Sequence, residues 1–262
     1  MATNSMKTPL ASVKCPTLYF VLPCYNEAEG LQHTADVLHR KIDDLIEKNK
    51  ITGDSRVLLV DDGSQDGTWN LILKIHGDTP KLFKGIKLAH NRGHQNALFA
   101  GLMTAYKAHC DAAISMDADL QDDVNAVDEM IDKYTNEHCE VVYGVRSSRK
   151  KDTWFKRTTA EAFYSLFAWM GAETIPDHAD YRLMGKGALE ALSEYHEVNL
   201  FLRGIVPSIG FKTGKVYYER GVREAGESKY PLKKMIAFAI EGITSFSTKP
   251  LKFVTSMGII SI

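Results

Sequence analysis

Short apolar runs alternate with longer amphipathic stretches through the first half of the chain. Leu18-Tyr19-Phe20-Val21-Leu22, Val57-Leu58-Leu59-Val60 and Ala112-Ala113-Ile114-Ser115-Met116 have the length and near-continuous apolarity of buried strands. A further strand is predicted at about 85–89, and helices over about 27–48, 66–76 and 94–109. In the first helix, Leu31, Ala35, Leu38, Ile42 and Leu45 fall on one face at helical spacing. This alternation predicts a mostly parallel sheet with helices on both faces. The second half is less regular and reads as loops, helices and a few added strands, one of them Val141–Val145, within the same domain.

Two later segments carry helical stripes. Ala160, Phe163, Tyr164, Phe167 and Met170 line one face of 156–171, and Leu232, Ile236, Ala239, Ile243 and Phe246 one face of 231–246. Such a stripe can pack on a core, or lie in a membrane interface with basic residues toward lipid phosphates. The first is open between these two. The second precedes the apolar stretch Phe253–Ile262 and is read as interfacial. That stretch falls short of the roughly 20 residues a span needs; the family resemblance set out below implies a membrane segment cut at its entrance.

The chain divides into an extension at 1–16, one α/β domain at 17–230 and a juxtamembrane segment at 231–262. Its 262 residues, 44% hydrophobic and 25% charged, suffice for a substantial core, and a net charge of −1 speaks against nucleic acid as a partner. Residues 1–16 lack the apolar core of a secretory signal. The four cysteines, Cys15, Cys24, Cys110 and Cys139, show no metal spacing and read as reduced thiols facing the cytosol.

Each strand runs into a polar turn. Pro23-Cys24-Tyr25-Asn26-Glu27 follows the first, Asp61-Asp62-Gly63-Ser64-Gln65-Asp66-Gly67-Thr68 the second, and Asp117-Ala118-Asp119-Leu120-Gln121 the fourth. Alternation would send Asp117, Asp119 and Gln121 to one face if extended geometry continues through Leu120, and two carboxylates so placed can grip a hard cation such as Mg²⁺ or Mn²⁺. Taken singly, each feature has a plainer reading. An isolated D-x-D can be solvated loop, Asp62-Gly63 an ordinary turn, and Asn26 a helix cap. His90 and His94, four residues apart with no third ligand, read as surface or turn histidines rather than a metal pair.

Together, in this order and spacing, these motifs resemble the family-2 glycosyltransferases of GT-A fold, in the branch of dolichol-phosphate mannose synthase and bacterial polyprenyl-phosphate glycosyltransferases. The resemblance covers Thr17 to Pro250. It implies an inverting, metal-dependent transfer of a sugar from a nucleotide-sugar donor to a polyprenyl phosphate such as undecaprenyl phosphate, for cell-envelope glycan modification. The site residues it implies begin with Pro23, Tyr25, Asn26, Glu27, Asp61, Asp62, Gly63, Gly93 and Asp117 around the nucleotide. Asp117, Asp119 and Gln121 would hold Mg²⁺ or Mn²⁺, with Asp119 the principal ligand. Arg146, Arg157, Arg203, Ser228 and Lys229 would face the acceptor or the phosphates. Asp180 would orient the acceptor, since an ionised phosphate needs no strong base. A family serine after Arg157 is replaced here by Glu161. The implied donor is a UDP-sugar, glucose or N-acetylglucosamine, and the implied location is the cytoplasmic face of the cell membrane. Alternatives are GDP-mannose as donor, a polysaccharide or teichoic-acid hydroxyl as acceptor, or a nucleotide-sugar-binding scaffold subunit. Assembly into a homo-oligomer is left open.

Overall fold

A computed structural model of the chain describes residues 15–147, 178–195, 200–219 and 221. Among these residues, seven strands form one sheet: β1 (Leu18–Cys24), β2 (Arg56–Asp61), β3 (Phe83–Lys87), β4 (Ala112–Ser115), β5 (Val141–Arg146), β6 (His178–Gly185) and β7 (Thr213–Tyr218). Their order is β3-β2-β1-β4-β6-β5-β7. Every neighbouring pair is parallel except those of β6, which runs antiparallel to both β4 and β5.

Among the described residues, six helices cover the two faces: α1 (Leu31–Glu47), α2 (Thr68–Asp78), α3 (His94–Lys107), α4 (Ala126–Thr135), α5 (Lys186–Ser193) and α6 (Leu202–Ser208). Strand alternation sorts the core into two layers. Leu18, Phe20 and Leu22 of β1 meet α1, α2 and α4 through Leu38, Ile42, Ile72 and Met130. Val21 of β1, with Leu58 and Val60 of β2, meets α3, α5 and α6 through Leu98, Leu102, Leu189 and Ile205. The predicted stripe of α1 is the buried one, from Leu31 to Leu45.

Several element boundaries differ from the periodicity. α1 begins at Leu31 rather than near 27, because Asn26 turns the chain at φ 53° and the N–H groups of Gly30 and Leu31 both close on the Glu27 carbonyl, at 3.2 and 3.0 Å. Asn26 therefore is not the helix cap; Gly30 holds that position. β3 begins at Phe83, whose buried ring pairs in register with Val57. β4 ends at Ser115, a residue sooner than the apolar run suggests.

The topology reverses beside β1. β1, β2 and β3 step outward in one direction, and β4 lies on the other side of β1. The crevice outside the carboxyl ends of strands at such a reversal is the usual ligand site of an open α/β sheet. β6 adds to it in a second way. Running backward, it brings its own beginning to the same edge, with His178 opposite Val145 and Arg182 opposite Ser115.

Among the described residues no helix is long and apolar enough to cross a membrane. The stripes at 156–171 and 231–246, the apolar stretch from Phe253, and Arg157, Glu161, Ser228 and Lys229 lie outside the described residues. All four cysteines are free thiols, three of them buried. Burial, with the charge of Asp111, pushes the Cys110 thiol up to about 12, which leaves it protonated and inert.

Candidate active site

The turns after β1, β2 and β3 are stitched to one another by side chains. The Asn26 N–H donates to Ser64 Oγ at 3.0 Å, the Glu27 N–H to Thr68 Oγ1 at 2.8 Å, and the Gln65 N–H to Asn26 Oδ1 at 2.9 Å. Ser64 thus caps the first turn rather than the helix that follows. Gly63 makes the bend at φ +69°, where a Cβ would meet the Asn91 nitrogen at 2.5 Å. Asp62, 3% exposed, reaches across to the β3–α3 turn and accepts the N–H groups of Arg92 and Gly93 at 2.7 and 3.0 Å. Burial raises its carboxyl pKa, and these two amides offset part of that rise. Asp62 therefore shapes the turn around Gly93, at φ +87° the N-cap of α3.

Asp61 is fully buried, with Oδ1 accepting the Ser64 N–H at 3.2 Å and Oδ2 without a partner among the described residues. An unmatched buried carboxylate oxygen at a strand end suits a ligand donor. Tyr25 is exposed beside this turn, and Pro23 sits within β1. Pro23, Tyr25, Asn26, Glu27, Asp61, Asp62, Gly63 and Gly93 thus share one edge of the sheet.

The acidic segment after β4 corrects the expectation of a continuing strand. Ala118 and Asp119 lie in a turn, and Leu120 takes a left-handed φ of 52°. Asp117, Asp119 and Gln121 therefore lie on a loop, and strand alternation does not set where they face. Thr34 of α1 fixes this loop by donating to the Ala118 carbonyl at 2.7 Å, and Asp119 Oδ1 accepts the Gln121 N–H at 3.2 Å. Removal from water raises the Asp117 carboxyl pKa; His94 works against that rise, while Asp122, Asp180 and Asp119 add to it.

Asp180, near the start of β6, is the hub of the opposite wall. It is 5% exposed and faces five donor groups on four residues. Arg182 reaches it at 2.7 Å, Arg203 at 3.1 and 3.3 Å, Gln95 at 3.2 Å and His94 Nε2 at 3.3 Å. Burial alone pushes the carboxyl up, but the Arg203 charge, the His94 hydrogen bond and the Arg182 charge outweigh it. They hold Asp180 well below the usual carboxylate range. The same buried network also grips α6: Gln95 Oε1 accepts the Leu202 N–H at 3.0 Å, and Arg182 donates to the Leu202 carbonyl at 3.2 Å.

His94 is the clearest residue that sequence reasoning misplaced. It is no plain surface histidine, because its Nε2 also lies 3.9 Å from Asp117 Oδ1 and so spans the two acidic walls. Burial lowers the imidazole pKa, but Asp180 and then Asp117 reverse that, and the net shift is upward. Its position at the first turn of α3, directly after Gly93, was the available signal. His90 is exposed, as expected. Thr34, Asp122 and Tyr218 had no distinguishing sequence pattern. Arg146 closes the site at the end of β5, its guanidinium 3.4 Å from both Asp122 and the Tyr218 hydroxyl.

An open, mostly parallel sheet of seven strands flanked by helices, with acidic turns at its strand ends, has the GT-A-like fold. The model of Glycosyl transferase family 2 matches residues 19–199, and the chain belongs to that family as a glycosyltransferase enzyme. The chain is 54% identical over 245 residues to the uncharacterized glycosyltransferase YkoT of Bacillus subtilis (strain 168), covering 94% of this chain and 72% of that protein. It is 34% identical over 241 residues to the prophage bactoprenol glucosyl transferase homolog of Escherichia coli (strain K12), covering 92% and 75% respectively. A solved structure of glucosyl-3-phosphoglycerate synthase from Mycobacterium tuberculosis, in complex with Mn²⁺, uridine diphosphate and glucosyl-3-phosphoglycerate, shares the fold. Its TM-score is 0.51 at 15% identity, over 87% of this chain and 77% of that one.

Proposed function

We propose that the protein transfers glucose or N-acetylglucosamine from a UDP-sugar to a polyprenyl phosphate, with inversion, at the cytoplasmic face of the cell membrane. The observation that carries this reading is the gathering of acids and arginines at one end of the sheet. Asp117 and Asp119 lie on the loop after β4, Arg146 bonds Asp122 of the same loop, and Arg203 pairs with Asp180, which His94 links to Asp117. Relatives named bactoprenol glucosyl transferase support a polyprenyl phosphate as acceptor.

The donor set fits a divalent cation shared with a diphosphate. Asp117 is repelled by Asp122, Asp180 and Asp119, which a cation would relieve. Among the described residues no three His, Cys, Asp or Glu groups are gathered to hold an ion by themselves. Mg²⁺ and Mn²⁺ commonly take one or two carboxylates and complete their shell from substrate phosphates and water. Asp117 and Asp119 would hold the ion, with Gln121 as a neutral partner, and when bound it neutralises charge on the departing diphosphate.

In the proposed step, an acceptor phosphate oxygen forms a bond to the anomeric carbon. The bond from that carbon to the diphosphate breaks, and the nucleoside diphosphate leaves with the electron pair. No proton need move, because the attacking phosphate is already ionised. Positioning and charge stabilisation supply the rate. The Asp61–Asp62 turn and the Asn26 turn would seat the nucleoside, while Arg146 and Arg203, with Arg157, Ser228 and Lys229, would seat phosphates. Transfer to a sugar hydroxyl would instead need a base near the acceptor. Asp180, paired to two arginines and a histidine, is poorly suited to that task.

The test is incubation with Mn²⁺, undecaprenyl phosphate in detergent and a panel of labelled UDP- and GDP-sugars, followed by organic extraction. Label entering an acid-labile lipid from one UDP-sugar is the expected result, and EDTA should abolish it. Label entering only from GDP-mannose would replace the donor. Label passing to a polysaccharide hydroxyl and never to lipid would refute the acceptor.

A further inference from the structure

We infer that Asp122 and Tyr218 are positioning residues that aim Arg146 at the acceptor phosphate and tie that arginine to the loop carrying Asp119 and Gln121. The inference rests on the proposed role of Arg146 as a phosphate ligand.

Arg146 ends β5 and Tyr218 ends β7, and the two are direct partners in the parallel register. The Tyr218 hydroxyl donates to Asp122 Oδ1, and the same hydroxyl accepts from Arg146 Nε at 3.4 Å. A second guanidinium nitrogen of Arg146 reaches Asp122 Oδ1 at 3.4 Å. Asp122 is 2% exposed and Tyr218 4%, so neither is placed to touch a substrate directly. The Arg146 side chain, 30% exposed, is open to one. Both contacts to Arg146 are long, which constrains its direction while leaving donor capacity for a phosphate. Tyr218 is itself held edge-on against buried Tyr181, with ring centroids 5.3 Å apart, so its hydroxyl has a fixed address.

A second stitch joins the same two parts of the chain. The Gly221 N–H, just after β7, donates to the Gln121 carbonyl at 2.9 Å. The acidic loop and the end of β7 are therefore joined at two points, and the Asp122 carboxylate links the loop to Arg146. The other Asp122 oxygen is buried without a partner among the described residues. An unsatisfied carboxylate oxygen in the interior is costly to keep for folding alone.

The experiment measures kcat and separate KM values for donor and polyprenyl phosphate in the full chain, with thermal unfolding in parallel. The variants are Tyr218→Phe, Asp122→Asn, Arg146→Ala and Tyr218→Phe combined with Arg146→Ala. Tyr218→Phe keeps the ring packing and should raise the acceptor KM about 3- to 10-fold, the loss of one modest hydrogen bond, with donor KM unchanged. Arg146→Ala should raise the acceptor KM about 10- to 100-fold, and Tyr218→Phe should add nothing to it. Equal effects of Tyr218→Phe with and without Arg146, or a lowered melting temperature with no change in acceptor KM, would overturn the positioning role alone. An acceptor KM indifferent to Arg146→Ala would overturn the phosphate role of Arg146 and the inference with it. Asp122→Asn should repeat the Tyr218→Phe result, and normal acceptor affinity in that variant would remove Asp122 from the assignment.

Discussion

Replacing Asp180 by Asn tests the hub of the site. Asn has nearly the same shape, but it removes the charge that faces Arg182, Arg203 and His94, and it turns an amide N–H₂ toward groups that are all donors. Arg182 is fully buried beneath it and has no solvent to turn to. Removing one member of a buried ion pair costs about 3–5 kcal/mol, chiefly because the remaining charge stays desolvated. Because Arg203 is one-third exposed and can reach water, we place the loss near the lower end, about 3 kcal/mol. For a domain of this size that is a fall in melting temperature of roughly 6–12 °C. The pH dependence is more telling than the size. A carboxyl whose folded pKa is depressed stabilises the fold above its unfolded value of about 3.9, and that stability is lost as pH falls through the folded value. The His94 contribution has the opposite sign: present below about 6.5, it is lost as pH rises through the raised imidazole value. The gap in melting temperature between wild type and Asp180→Asn should therefore be widest near pH 5–6, narrow moderately at higher pH, and shrink progressively as pH falls below about 4. Thermal denaturation across pH 3–9 reads this directly. A gap that is absent at pH 5–6 and opens only above pH 7 would mean that Asp180 is protonated in the folded protein. It would then be a candidate general acid or base, and the pairing argument would be wrong.

Further outcomes follow from the same geometry. Asp119→Asn should reduce transfer to background in the lipid-label assay while leaving the unfolding curve within about 0.5 kcal/mol of wild type, as expected of a half-buried loop residue; retained turnover would remove it as a metal ligand. Asp180→Asn should retain more activity than Asp119→Asn, and equal loss would favour a hydroxyl acceptor that needs a base. Gly63→Ala forces a Cβ to within 2.5 Å of the Asn91 backbone at a left-handed φ, and should cost about 1–3 kcal/mol in denaturant unfolding. His94→Gln keeps a hydrogen-bond donor but not the charge between Asp117 and Asp180; it should lower kcat about 10-fold or more with a smaller change in melting temperature, and an unchanged kcat would return His94 to a structural role.

Periodicity along the chain carried the β/α alternation, the buried stripe of α1 and the sheet with helices on both faces, because those patterns are local and repeat at 2 and 3.6 residues. Two of the strand-end motifs were legible for the same reason: Asp61-Asp62-Gly63 and Asp117-Ala118-Asp119 each sit where an apolar run stops, whereas Gly93 was marked by the family resemblance. What the chain could not reveal alone is how distant turns meet. β6 brings Asp180 to the acidic crevice only because it runs against its neighbours, and strand direction is set by pairing and crossover, not by composition. The same holds for His94, whose two carboxylate neighbours lie far from it in sequence. It holds for Tyr218 and Asp122, which meet at Arg146 because β7 pairs with β5. The loop geometry of Asp117 to Gln121 also belongs to tertiary structure. Leu120 enters a left-handed conformation that its residue type disfavours, and Thr34 of α1 and Gly221 after β7 hold that loop at its carbonyls. Local pattern determined which segments become strands and where their polar ends lie, and long-range packing decided which of those ends face one another.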